Sequence, residues 1–179
     1  MNISETDIVI SGGGVAGLTA ACAFGSAGFS VLCVDPAPPV TDADSDGADL
    51  RTTAFLQPAV EVLRAAGLWD RLSPHAAALQ VMRIVDAAPG AEGPHRVKDF
   101  DAAEISDLPF GWNLPNWLLR REMVARLADL PTVNFRPGIA TTALFTREGE
   151  ARVTLSDGTR VATRLVIAAD GRDSALRAQ

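Results

Sequence analysis

The chain has 179 residues, enough for one domain with a buried core, and its 47% apolar and 21% charged residues are ordinary for a soluble protein. Sixteen basic against 22 acidic residues leave a net charge of −6, which excludes the cationic footprint of a nucleic-acid binder. The same balance still permits an anionic cofactor held on backbone N–H groups.

No run approaches the about 20 apolar residues of a membrane span, so no integral membrane segment is expected. The first ten residues carry Glu5 and Asp7 but no basic residue, unlike a signal peptide, and a cytoplasmic protein is expected. Asp7-Ile8-Val9-Ile10-Ser11 reads as a strand buried on both faces. Gly12-Gly13-Gly14-Val15-Ala16-Gly17 breaks it, and the Ala- and Leu-rich stretch 18–27 is helical, with Gly28 placed to end it. Residues 29–34 form a second apolar strand, closed by Asp35-Pro36. Strand, helix and parallel strand make a βαβ unit. Cys22 and Cys33 lack C-x-x-C spacing and lie among apolar residues, where small buried thiols in a reducing compartment are expected.

From 36 to 49 the composition turns to Pro, Asp, Gly and Ala, a solvated loop. Its acids Asp42, Asp44, Asp46 and Asp49 lack the terminal Glu of a calcium loop, and no metal site is expected. Residues 56–66 are amphipathic, with Val60 and Leu63 at helical spacing and Gly67 beyond the end. Residues 81–87 and 95–101 read as two strands joined by a turn-rich loop over 88–94. The stretch 117–130 is helical and stopped by Pro131. Short strands follow at 132–135, 139–146, 151–155 and 159–162, with Ser156-Asp157-Gly158-Thr159 as a hairpin turn. Residues 164–169 make a further buried strand, ending in Asp170-Gly171 with a helix start expected after it.

The glycine turn carries the first chemical signal. In Gly12-x-Gly14-x-x-Gly17 the first glycine allows a tight turn off the strand. The second lets the backbone approach a diphosphate, and the third lets the helix pack close to the sheet. The N–H groups of the helix start, at Val15 and Ala16, add partial positive charge for phosphate. Asp35 ends the next strand, where a carboxylate accepts hydrogen bonds from ribose hydroxyls. A dinucleotide site follows from this combination, and NAD and FAD both use it. Arg51 sits where it could reach a ribose or diphosphate, or pair with Asp49 at a helix entry. Of the adjacent Arg120 and Arg121 one should face inward, and Arg120 is the candidate for the cofactor side. Asp170 lies at the carboxyl end of a strand, where open α/β sheets place ligands, and could also cap the following helix. His75 and His95 are isolated and are expected to be structural or exposed, so no catalytic acid or base is nominated.

Four segments together resemble a known family: the glycine turn with Asp35, Arg51-Thr52-Thr53-Ala54, the run Gly111-Trp112-Asn113-Leu114-Pro115-Asn116-Trp117-Leu118-Leu119-Arg120, and Ala169-Asp170-Gly171-Arg172-Asp173-Ser174-Ala175-Leu176-Arg177. The chain resembles the flavin-dependent aromatic hydroxylases related to para-hydroxybenzoate hydroxylase, and among them the hydroxylases of ubiquinone biosynthesis. The resemblance implies an α/β fold: a Rossmann-like FAD-binding domain over 1–79 and 102–179, with 80–101 as the first antiparallel hairpin of an incomplete substrate-binding sheet. It implies FAD as cofactor, NAD(P)H as co-substrate, and insertion of one oxygen atom from O₂ into a small aromatic substrate, a polyprenylphenol in the ubiquinone group. Gly12, Gly14, Val15, Ala16, Gly17, Asp35, Arg51, Arg120, Asp170 and Gly171 would bind the cofactor. The family's later Gly-Asp motif does not occur in these residues, so the N-terminal part of a longer protein is expected, by itself inactive. Peripheral membrane association would suit a prenylated substrate. The alternatives are another FAD oxidoreductase of the same fold, such as a halogenase or polyprenyl reductase, or a dinucleotide-binding module without chemistry.

Overall fold

The computed structural model describes residues 3–87, 90, 93, 95–172 and 174–178. The 88–94 connection and position 173 of the last motif fall largely outside them. The chain opens with β1 (Ile3–Ser11), α1 (Val15–Ser26) and β2 (Val31–Asp35). β3 (Thr52–Leu56), α2 (Gln57–Ala65), the single-turn α3 (Trp69–Leu72), β4 (Ala77–Ala78), β5 (Val81–Asp86) and β6 (Arg96–Asp101) follow. The last part is β7 (Gly111–Pro115), α4 (Asn116–Ala128), β8 (Val133–Pro137), β9 (Thr141–Arg147), β10 (Glu150–Leu155) and β11 (Arg160–Ala168).

The main sheet has the order β8-β2-β1-β11-β10-β9. β8, β2, β1 and β11 are parallel, and β10 and β9 continue antiparallel from β11. The expected α/β architecture is therefore present, a mostly parallel sheet with antiparallel additions. The apolar run Ile8–Ile10 of β1 is unbroken because it feeds two cores. Ile8 and Ile10 face the helices with Val31 and Cys33, while Val9 packs on the other face with Leu32, Val34 and Val153. The helix-side core is the larger, and Leu18, Leu63, Leu119 and Met123 bring α1, α2 and α4 into it. Both cysteines are fully buried and free, and burial pushes each thiol up to about 12.

The sequence pattern missed some elements and divided another. Residues 160–168 are one strand rather than two, because the same ladder to β1 runs its whole length, Ile3 to Arg160 and Ser11 to Ala168. Leu165 within it is 45% exposed, so this strand is buried less fully than its hydropathy implies. A second sheet, β3-β7-β4, had no sequence signal. β3 passes directly into α2 with no turn residue between them, and β7 is bounded by Gly111 and Pro115, which read as breakers. Their pairing, Thr53 opposite Leu114 and Phe55 opposite Trp112, is long-range and has no local signature. After Gly171, among the described residues, the regular element is a short 3₁₀ turn at Leu176–Ala178, where a helix start was expected. The Ser156–Thr159 hairpin turn is as expected. The Asp157 carboxyl is held down to about 2 by the Thr159 backbone N–H and by Arg136, whose Nη2 lies 2.7 Å from it.

Candidate nucleotide site

The site forms at the carboxyl end of the parallel strands. Gly12 leaves β1 at φ +116°, a conformation that favours glycine, and its N–H donates to the Val34 carbonyl at 2.7 Å. A Cβ on Gly12 would lie 2.2 Å from the Ala169 carbonyl oxygen, and one on Gly17 would lie 1.9 Å from the Gly12 carbonyl oxygen. These two glycines therefore allow the turn to lie against the β11 exit and α1 to lie against the turn. Gly14 differs. A Cβ there meets nothing within 4 Å, and Gly14 caps α1 with no side-chain acceptor and no acid in the first turn. The first N–H groups of α1 thus have no capping side chain and no acid in that turn, and the space at the Gly14 Cβ position is open, an end suited to an anion.

Asp35 closes one side. Its Oδ2 accepts from the Gly13 N–H at 2.5 Å and its Oδ1 from the Ala37 N–H at 2.8 Å. Each carboxylate oxygen keeps a second lone pair for a sugar hydroxyl. Asp170 closes another side, its backbone N being 2.8 Å from a Cβ on Gly12. Its Oδ1 is buried without a hydrogen-bond partner among the described residues. Burial works against ionisation of this carboxyl, but hydrogen bonds from Ser174 and from nearby backbone N–H groups prevail and hold it below the usual carboxylate range. Of the expected helix cap, the Leu176 N–H lies a long 3.4 Å from Oδ2, beside the hydrogen bonds from Ser174 and Ala175. Gly171 follows at φ +88°.

The second half of the site comes from α4. The Thr19 hydroxyl and the Cys22 thiol both lie 3.7 Å from Met123 atoms, and Ser26 lies 3.1 Å from Arg126. Rising residue numbers on α1 thus meet rising numbers on α4. The two helices run parallel, with both amino ends at the glycine-turn end of the sheet. Arg120 sits on α4 one turn before Met123, and in the first turn of α1 Val15 is half-buried and Ala16 exposed. The Arg120 side chain is 23% exposed, whereas Arg121 is 44% exposed and lies over the Trp117 ring at 5.2 Å, the division expected of neighbours on a helix. Arg51 takes the pairing that competed with its cofactor reading: Nε and Nη2 each lie 2.8 Å from the two oxygens of Asp49. Asn116, at the start of α4, adds its Nδ2 at 3.0 Å from Asp49 Oδ2. These donors hold the Asp49 carboxyl well below its ordinary range, the Arg51 bonds contributing most. Asp49 and Asn116 were not picked out as site residues; the only sequence sign was the Asp49-x-Arg51 spacing.

Elsewhere, His75 and His95 are exposed. Among the described residues no cluster of three or more His, Cys, Asp or Glu could hold a metal, and no helix is long and apolar enough to cross a membrane. A cleft of about 680 Å³ lies away from the turn, between Phe24 and Phe29 on one side and Leu144 and Leu165 on the other. It includes none of the sequence-predicted site residues.

The donor set fits the adenosine diphosphate part of FAD. The glycine-edged helix end suits the diphosphate, a two-oxygen carboxylate the ribose, and the orphaned Asp170 oxygen awaits a donor. Comparison with known proteins agrees. Ubiquinone hydroxylase UbiL of Rhodospirillum rubrum is 34% identical over 96% of this chain, and 3-demethoxyubiquinol 3-hydroxylase of Escherichia coli is 29% identical over 99%. This chain spans only 38% and 44% of those two relatives. In fold it is similar to the FAD-dependent monooxygenase pqsL of Pseudomonas aeruginosa, with a TM-score of 0.73 at 23% identity over 98% of this chain and 45% of that one. It is also similar to the flavin-dependent monooxygenase PieE solved with FAD and substrate, with a TM-score of 0.75 at 24% identity over 98% of this chain and 32% of that one. With a family model matching residues 5–179, nearly the whole length, the chain belongs to the FAD binding domain family.

Proposed function

We propose that this chain is the FAD-binding portion of an NAD(P)H- and O₂-dependent monooxygenase that hydroxylates an aromatic ring, and that its substrate is a polyprenylphenol precursor of ubiquinone. The observation that carries the reading is the 34% identity with a ubiquinone hydroxylase across 171 residues, a span that takes in both the glycine turn and the β11 exit. Bound FAD would supply the redox and oxygen chemistry, and the protein supplies binding, orientation and exclusion of water. In this reading Gly12, Gly14 and Gly17, with the N–H groups of Val15 and Ala16, hold the diphosphate. Asp35 accepts from the ribose hydroxyls. Arg51 and Arg120 offset the phosphate charge, and Asp170 with Gly171 meets the cofactor from the β11 side.

Residues 1–79 and 102–179 belong to the FAD-binding domain in this reading, and 80–101 to the substrate-binding sheet. Support for the second assignment is that β5 and β6 pair only with each other and expose every residue, including Met82, Ile84 and Phe100 on one face and Val81, Val85 and Val97 on the other. A two-stranded ribbon with apolar groups on both faces is marginal in water until more sheet covers it. A prenylated substrate partitions into lipid, so the reading puts the enzyme in the cytoplasm, peripheral to the membrane.

The test is the full-length protein. Substrate-stimulated NAD(P)H oxidation is expected, coupled to a product one oxygen atom heavier than the phenol supplied. NAD(P)H oxidation without oxygen insertion, for every phenol and polyprenylphenol tried, would instead indicate a flavoprotein of another reaction type, such as a halogenase or reductase.

A further inference from the structure

We propose that Asp49 is a positioning residue for the diphosphate of the cofactor, acting through Arg51; the inference rests on the assignment of FAD to the glycine turn. The Arg51 side chain is 83% exposed, yet its guanidinium is held at both Nε and Nη2 by a carboxylate only 11% exposed. A surface arginine is ordinarily mobile, and this one is fixed in plane and direction before any ligand arrives. Asp49 is anchored in turn. Asn116, 8% exposed, donates from Nδ2 to Asp49 Oδ2 and accepts from the Thr53 hydroxyl at 2.6 Å. The backbone repeats the tie, with the Asn116 N–H on the Arg51 carbonyl at 2.9 Å and the Trp117 N–H on the Asp49 carbonyl at 3.3 Å. Arg120 Nη2 stands 3.6 Å from the same Asp49 Oδ2.

The geometry explains what such an arrangement does. Asp49 occupies the Nε/Nη2 edge of the guanidinium, so the Nη1/Nη2 edge of the same plane points away from it. That edge matches a pair of phosphate oxygens. Two guanidinium groups against one carboxylate leave the cluster net positive, at the first two turns of α4. Ordering Arg51 beforehand removes rotamer freedom that binding would otherwise have to remove. The sign of the effect separates this role from simple electrostatics. Removing a negative charge near a bound anion should by charge alone tighten binding, whereas loss of positioning weakens it.

The experiment uses the full-length protein stripped of flavin, with Asp49→Asn, Arg51→Ala, the double variant and Gly14→Val. FAD affinity is read by flavin fluorescence titration, and the thermal midpoint of each apo-protein is read alongside. Asp49→Asn is expected to raise the Kd roughly tenfold, as Arg51→Ala does, because each removes one charge-assisted contact. The double variant should bind no worse than Arg51→Ala alone, the non-additivity of two residues acting as a unit. Tighter or unchanged binding in Asp49→Asn overturns the proposal, as do additive losses, which would mark Asp49 as a structural clip only. If Arg51→Ala is silent while Gly14→Val loses FAD, the positioning role fails and the FAD site stands. Should Gly14→Val also bind normally, the FAD assignment itself falls.

Discussion

Gly17→Ala is expected to abolish flavin retention by lowering stability, whereas Gly14→Val abolishes it without doing so. The added Cβ at Gly17 lands 1.9 Å from the Gly12 carbonyl oxygen and 2.9 Å from its carbon, and both are backbone atoms of a turn already pressed on Ala169. α1 must move off the sheet, at a cost on the order of 3 kcal/mol, or roughly 10 °C in the melting temperature of a domain this size. Gly14 has open space where its side chain would go and an extended backbone, φ −73° and ψ 179°, which any residue adopts. Valine there costs only the difference between a fair and a poor helix cap, about 1 kcal/mol or less. In the proposed assignment, however, its methyl groups would fill the place of the diphosphate. Thermal melts of the two apo-proteins beside flavin titrations separate the cases. A Gly14→Val protein that keeps its flavin, or a Gly17→Ala protein as stable as the parent, would contradict the mechanical roles given to these glycines.

Asp35→Ala is the second large effect. The carboxylate already accepts the Gly13 and Ala37 N–H groups, so it is fixed in direction before a sugar reaches it. Losing two charge-assisted hydrogen bonds to ribose hydroxyls should weaken FAD binding on the order of 100-fold, with about tenfold left to Asp35→Asn, which keeps one acceptor oxygen. The measurement is the Kd of the full-length apo-protein for FAD, compared with that for FMN. FMN lacks the adenosine, so any weakening that comes through the ribose contact should be absent with it. An equal loss for both flavins would mean that Asp35 acts only by shaping the turn.

Much of this end of the molecule is legible in the sequence because the signals are local. Gly12, Gly14 and Gly17 announce a turn whose constraints are steric and short-range, and Asp35 follows from counting to the end of the next strand. The division between Arg120 and Arg121 follows from helical geometry alone. What escapes is built from distant residues. Thr53 meets Asn116 across 63 positions, and Asn116 meets Asp49 across 67, so no window of sequence contains that network. The sheet β3-β7-β4, which brings these residues together, is hidden for the same reason: five-residue strands ending in a helix or at Pro115 carry no periodicity to read. The helix start anticipated after Gly171 rests on the local strand-then-Asp170-Gly171 pattern, and among the described residues a 3₁₀ turn at Leu176–Ala178 is formed there.

The parallel run of α1 and α4 has an energetic side. Aligned helices set like ends of their dipoles next to each other, a mutual repulsion that shared packing through Met123 must overcome. A doubly charged guest lodged between those ends cancels the repulsion. If the proposed diphosphate sits there, cofactor loading and the tightening of this corner are one thermodynamic event, and the apo-protein should loosen first at this corner.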